Sequence, residues 1–307
     1  MTIFKYKVFH AVVELGSLTK AAESLNLTQS GVSHAISSLE TEFGFSLLTR
    51  DRAGIALTSN GERLLTRICE TLQSDERLRQ EVAAIRGLEI GTIRIGTFTS
   101  VSSQWLPGIM KEFQKQHLSL EIKLAEGDYD KIEGWILNGS VDFGFVSLPA
   151  FKSFETIPLV KDKMFCILPR EHPLQHQNKI FFDQIKEEPF IMPKWGSNDD
   201  VRRILRENNV TPRIKYEIAE DQAIIAMVQN GLGISILPEM VLRHNACNLS
   251  IVSLEKPVYR TIGIALNSIK NASPATKRFL AFLQLWLKRQ GLLREEIDDV
   301  LARDRTL

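Results

Sequence analysis

Five polar side chains, Gln29, Ser30, Ser33, His34 and Ser37, recur through the stretch TQSGVSHAISSLE. On a helix that spacing gathers them on one side, opposite Val32, Ile36 and Leu39. Small donors and acceptors presented on a helix face can hydrogen-bond to base edges in a DNA major groove. A second concentration lies at Thr99, Ser100, Ser102 and Ser103, directly after the apolar run of residues 92–97. A strand that turns into a helix leaves N–H groups free, so hydroxyls there suit an anionic group. Ordinary N-capping by one of them, worth about 1 kcal/mol, is the competing reading.

Other chemistries find little support. His172 and His176 are four residues apart, but Pro173 lies between them and no carboxylate or Cys completes a ligand set, so no metal or other cofactor is expected. No serine elbow, phosphate loop or dinucleotide fingerprint occurs. Cys69, Cys166 and Cys247 are odd in number and far apart, which argues against a disulfide framework and for a reducing, cytoplasmic setting. No apolar run approaches the roughly 20 residues of a membrane span. The 307 residues, 44% hydrophobic, allow two or three domains with real cores. The net charge of +1 gives DNA binding no help. Within residues 1–65, Lys5, Lys7, Lys20, Arg50, Arg52 and Arg63 are balanced by Glu14, Glu23, Glu40, Glu42, Asp51 and Glu62. Affinity for phosphates must therefore depend on where charges sit.

The elements that would position these residues are legible. Phe4, Val8, Val12 and Leu15, with Phe9 and Val13, predict a first helix ending at Gly16. Ser17 starts a second over Leu18, Ala21, Ala22 and Leu25, and a third opens at Thr28 or Gln29. Two short helices with a tight turn are the layout of a helix-turn-helix. Residues 45–58 then hold two apolar stretches around an Ala-Gly turn, as a β-hairpin would. The run Ser17, Ala21-Ala22, Leu25, Thr28-Gln29-Ser30, Val32-Ser33, Ile36, Leu39-Glu40, Gly44, Leu47-Leu48, Arg50, Leu57-Thr58 and Gly61 closely resembles the N-terminal domain of LysR-type transcriptional regulators. In that family the hairpin is a wing along the DNA backbone and minor groove, which would place Arg50 and Arg52 on phosphates or in the narrow groove. A structural ion pair inside the domain is the other reading of Arg50.

Residues 59–88 lack proline, and Leu64, Leu65, Ile68, Leu72, Leu78, Val82 and Ile85 recur at helical intervals, interrupted by Asp75. Such a helix would be roughly 40 Å long. Pairing with a second subunit is expected, and the resemblance implies that this linker forms a dimer presenting two readers to a partly palindromic site. Packing on its own C-terminal domain is the alternative.

From Thr92 strands alternate with helices, the pattern of an α/β domain. Strands are predicted over 92–97, 120–125, 141–146, 164–168, 189–192, 213–218 and 261–267, and helices over 103–116, 130–138, 199–208, 222–230 and 274–290. Their order, with the phrases Ile93-Arg94-Ile95-Gly96, Leu106-Pro107, Glu126-Gly127, Asn138-Gly139, Glu171-His172-Pro173-Leu174, Gly231-Leu232-Gly233-Ile234 and Leu237-Pro238, resembles the two-lobed, periplasmic-binding-protein-like effector domain of the same family. The expected organisation is thus a mainly α winged helix-turn-helix (1–58), a linker helix (59–88) and an α/β effector domain (89–290). Lobe I would comprise 91–161 and 267–290 and lobe II 162–266, with hinges at 145–147 and 266–268. The tail, 291–307, carries Glu295, Glu296, Asp298 and Asp299 beside Ile297, Val300 and Leu301, as a short amphipathic helix.

The resemblance implies an effector held between the lobes. Thr99, Ser100, Ser102 and Ser103 would face Asp128, Ser147, Trp195, Ser197 and Gln222. A carboxylate or similar anion is expected on Ser100 and the amides around it. Ser147 and Asp128 stand where some members carry an arginine and a hydroxyl, which favours a small singly charged organic anion, or a zwitterionic or amino-acid-like metabolite, over a multiply charged acid. The expected protein is a DNA-binding regulator, not an enzyme, acting as homodimer or homotetramer with double-stranded DNA and RNA polymerase as partners. A ligand-independent DNA-binding oligomer, an enzyme of the two-lobed fold and a redox sensor using Cys166 and Cys247 remain as alternatives.

Overall fold

The computed structural model describes residues 3–51, 54–150, 154–194, 197–243 and 247–293. Arg52, Trp195 and most of the tail, including its acidic stretch, lie outside them.

The N-terminal unit is built around the capped start of its third helix. In α1 (Ile3–Leu15), Val8, Phe9 and Val12 are buried. Phe4 and Leu15, expected on the same stripe, are instead exposed, because the helix ends run past its small core. α2 (Leu18–Ser24) is capped by Ser17, whose hydroxyl accepts from the Lys20 amide. Thr28 caps α3 (Gln29–Phe43) by accepting from the Gly31 amide at 3.1 Å, and Gly44 ends it at φ 78°. The hairpin follows as β1 (Leu48–Asp51) and β2 (Gly54–Leu57), antiparallel, with Leu48 opposite Leu57. The Glu40 carboxylate on α3 accepts from the Leu47 and Leu48 amides at 2.7 and 3.1 Å, tying the hairpin to the helix.

Thr58 caps α4 (Ser59–Ile85), the 27-residue linker. Its first half packs Ile68 and Leu72 into the N-terminal core. Further along, polar residues seat it on its own C-terminal domain: Gln73 donates to the Gly139 carbonyl, Arg77 to the Asn271 carbonyl, and buried Gln80 accepts from the Ala275 amide. That contact leaves Leu78, Val82 and Ile85 uncovered, with exposures of 64%, 42% and 84%. Among the described residues no helix is long and apolar enough to cross a membrane.

The C-terminal domain begins with β3 (Gly91–Thr97), α5 (Thr99–Gln104), α6 (Leu106–Gln116), β4 (Leu120–Glu126), α7 (Tyr129–Asn138) and β5 (Phe143–Leu148). The single helix expected over 103–116 is two helices, broken at buried Trp105. β6 (Glu155–Pro169) then runs for 15 residues into a second lobe of β7 (Lys179–Ile180), α8 (Phe182–Glu187), β8 (Pro189–Pro193), α9 (Ser197–Glu207), β9 (Arg213–Ile218), α10 (Asp221–Gln229), β10 (Ser235–Pro238), α11 (Glu239–Leu242) and β11 (Leu249–Leu254). β12 (Tyr259–Leu266) and α12 (Pro274–Arg289) close the described chain. The strand order is β4-β3-β5-β12-β6-β11-β7, with β10 also on β6. The first half of β6 pairs with β12, the second with β10 and β11.

This topology moves the expected hinges. β12 pairs with β5 from Thr261 to Ala265, and Ile262, Ile264 and Leu266 join the first-lobe core of Ile95, Phe143 and Phe279. The strand placed in lobe II therefore belongs to lobe I. The chain crosses within β6 near Asp162 and again just before β12, not at 145–147 and 266–268. A buried central strand reads as a continuous apolar run in either lobe, so its pattern could not assign it. The second lobe has its own core, with Met164, Phe190, Ile204 and Ile236 on one side and Ile167, Ile224 and Leu237 on the other.

Candidate functional site

Two surfaces carry the polar chemistry. On α3, burial of Val32, Ile36 and Leu39 forces Gln29, Ser30, His34 and Ser37 outward, where they are exposed, with Ser33 half-buried beside them. The Ser30 hydroxyl lies 3.1 Å from that of Thr28 at the helix start. Arg50 sits in β1 opposite Ile55, at the hairpin, while its side chain and all of Arg52 fall outside the described residues. The structure thus brings the α3 residues together beside a hairpin that Glu40 holds in place.

The second surface is a cleft of 310 Å³ between the lobes. Thr99, Ser100, Ser103, Asp128 and Gln222 line it, together with Glu126, Tyr129, Lys131, Glu220, Asp221 and Arg260. Two expected residues stand elsewhere. Ser102 turns back to donate to the Thr97 hydroxyl, and Ser147 donates to Asp200 at 2.8 Å; neither lines the cleft. Ser197 opens α9, but its side chain, like all of Trp195, lies outside the described residues. Asp128 caps α7, accepting from the Lys131 amide at 2.8 Å. None of the four hydroxyls caps α5, whose N-cap is Phe98 without a side-chain bond. Thr99 donates to Glu126, Ser103 to the Ser100 carbonyl, and buried Ser100 accepts from Arg260.

Arg260, Asp162 and Tyr129 are the residues that the sequence did not disclose. Fully buried at the start of β12, Arg260 donates to Asp162 at 2.9 Å, to the Tyr129 hydroxyl at 3.1 Å and to Ser100 at 2.8 Å. Burial works against its charge, yet Tyr129, Asp162 and Asp200 outweigh that and hold the guanidinium above its ordinary value. Asp162 also accepts from the Met240 amide, and Asp200 is reached by both Ser147 and Tyr129, so the network spans both lobes. Desolvation raises the Asp200 carboxyl despite Arg260, and raises the Tyr129 phenol. At the first position of α10, Asp221 has no hydrogen bond or ion pair among the described residues. Desolvation pushes it up to about 6, against the pull of Arg260. The one advance signal was a charged residue opening the apolar run Ile262–Leu266, too common a feature to single out.

A wider hollow of 1180 Å³ lies where α1, α4 and the first lobe meet, lined by Lys7, His10, Glu14, Arg94 and Asp142 among others. It separates domains, not lobes, and lacks a converging network. Cys69 and Cys166 are buried, which pushes both thiols up to about 12, while Cys247 is exposed. A thiol that burial holds protonated is a poor redox nucleophile, which weighs against a Cys166 sensor. No group of His, Cys, Asp and Glu among the described residues could hold a metal ion.

Comparison with known proteins follows this division. Residues 4–62 match the family profile of bacterial regulatory helix-turn-helix proteins, lysR family, and residues 86–288 match that of the LysR substrate binding domain. The chain is 36% identical over 283 residues to the HTH-type transcriptional regulator YvbU of Bacillus subtilis, covering 91% of this chain and 97% of that one. To the HTH-type transcriptional activator CmpR of Synechocystis it is 30% identical over 288 residues, covering 92% and 94%. Full-length OxyR of Pseudomonas aeruginosa shares the fold with a TM-score of 0.76 at 20% identity, over 92% of this chain and 93% of that one.

Proposed function

The chain belongs to the LysR family of helix-turn-helix transcriptional regulators, whose members are not enzymes, and from that premise we propose that it reads DNA through α3 and is switched by a small molecule held between its lobes. The observation that carries this reading is the pairing of an exposed polar face on α3 with a polar cleft crossed by a buried, lobe-spanning network. Gln29, Ser30, Ser33, His34 and Ser37 are the base-reading residues, and the hairpin arginines Arg50 and Arg52 hold the backbone. Leu78, Val82 and Ile85 give the linker an uncovered apolar row on which a second chain packs, so two readers face a partly palindromic operator. The C-terminal domains then join such dimers into tetramers, since the linker row is used once.

A ligand favours whichever lobe arrangement it binds more tightly. Thr99, Ser100, Ser103, Asp128 and Gln222 supply its polar contacts. Rearrangement at the β6 and β12 crossings changes the spacing of the readers, the bend of the DNA and its access by RNA polymerase.

Selection of binding sites from a random DNA library tests the reader. Wild type should enrich one sequence, and Gln29→Ala should relax it at one position by about 1–3 kcal/mol of discrimination, with unchanged affinity for random DNA. Equal loss on selected and random DNA would remove Gln29 from base reading. Thermal melting against a broad metabolite panel tests the cleft. A specific ligand raises the melting temperature, and Gln222→Ala should reduce that rise; stabilisation unaffected by any cleft substitution would place the effector elsewhere.

A further inference from the structure

Among the described residues the cleft between the lobes is acidic, and the two cations that line it are already engaged. Glu126, Asp128, Glu220 and Asp221 line it against Lys131 and Arg260. Lys131 pairs with Asp128 at 3.4 Å. Arg260 is committed to Asp162, Tyr129 and Ser100, and its guanidinium sits 5.3 Å from the Phe98 ring centroid. Behind this wall, Asp200 adds another carboxylate, facing Arg203 at 3.7 Å. The unpaired charges facing the open volume are therefore Asp221 and Glu220 at the start of α10 and, across the cleft, Glu126, which holds only the Thr99 hydroxyl. A simple carboxylate entering here would meet like charge, with no uncommitted cation among the described lining residues to receive it.

We propose that the cleft takes a small ammonium-bearing ligand, zwitterionic or dicationic, whose charged nitrogen sits on Asp221 with Glu220 and Glu126 around it. This rests on the cleft being the effector site and names the chemical class that it accepts. The hydroxyls of Thr99 and Ser103 and the amide of Gln222 receive the remaining polar groups of the ligand. The arrangement makes binding depend on pH. Asp221, which Arg260 from β12 and Glu220 from its own helix face directly, and which Tyr129, Asp128, Lys131 and Glu126 face across the cleft, titrates at about 6 when empty. An ammonium beside it favours the ionised form, so binding releases a proton and strengthens as pH rises through that value.

The probes are four five-carbon compounds: a terminal diamine, the terminal amino acid, and the mono- and dicarboxylates of the same chain. Binding to the full-length protein is measured by calorimetry at pH 8 and pH 5. The amines are expected to bind about tenfold more weakly at pH 5, following the fraction of Asp221 ionised. Asp221→Asn should abolish that dependence and most of the affinity. Glu126→Gln, which can still accept from Thr99, should weaken binding without removing the pH dependence, and serves if Asp221→Asn does not fold. Carboxylates that bind while amines do not, with binding lost in Gln222→Ala, would overturn the cationic class and leave the cleft as effector site. Amines that bind equally to wild type and every cleft variant would overturn both. Silence from all four compounds would overturn the cationic class, leaving the site to the broad panel.

Discussion

Asp221 pays a standing cost for its place in the cleft. Desolvation lifts its pKa from 3.8 to about 6, so the folded protein binds that proton more tightly than the unfolded chain does. Well below the unfolded value of 3.8 both states are protonated and the group contributes nothing. As pH rises towards 6 the unfolded chain ionises first, and the folded state loses stability by up to about 1–3 kcal/mol. Asp221→Asn should therefore raise the melting temperature at pH 7.5 by a few degrees and leave it nearly unchanged at about pH 3, below the unfolded value. A variant less stable at both pH values would mean that Asp221 makes a favourable contact in the empty protein. Arg260 is the opposite case: a buried charge that donates hydrogen bonds to Asp162, Tyr129 and Ser100.

Among the elements, those set by near neighbours were legible and those set by distant ones were not. Thr28 caps α3 from three residues away, and Val32, Ile36 and Leu39 define its buried face within three turns, so the reader helix could be drawn from its own residues. Arg260 lies 98, 131 and 160 residues from Asp162, Tyr129 and Ser100, and no local period reveals such a network. The lobe crossings were misplaced for the same reason, since the partner of β12 is chosen by the sheet. The start of α4 offers a test of the local kind. A Cβ on Gly61 would come 2.2 Å from the Leu47 carbonyl oxygen, a backbone atom with little room to yield. Gly61→Ala should cost about 1–3 kcal/mol, read by denaturant melting; a neutral result would mean that the hairpin and linker can separate freely. At the far end of the same helix, Leu78→Asp combined with Ile85→Asp removes exposed apolar area, so the fold should survive while light scattering reports monomers. An oligomer of unchanged mass would show that its subunits meet elsewhere.

At the scale of the whole molecule, the near balance of charge decides how the regulator meets DNA. With a net charge of +1 and formal neutrality across residues 1–65, no general field draws the protein to the duplex. Affinity then depends on a few placed contacts, counted twice when two chains bind together. Each phosphate neutralised contributes roughly 0.9 to the slope of log affinity against log salt. Arg50 lies in the hairpin that Glu40 anchors to α3, so Arg50→Ala should lower that slope by about one per chain, or about two for a dimer on its operator. Affinity should fall alike on cognate and random DNA, whereas Gln29→Ala should leave the slope unchanged and lower only discrimination. Titrations by fluorescence anisotropy across a salt series measure both quantities. A slope unmoved by Arg50→Ala, together with lower thermal stability, would assign Arg50 to an ion pair inside the domain and pass the phosphate contacts to the hydroxyls and helix starts of the reader unit.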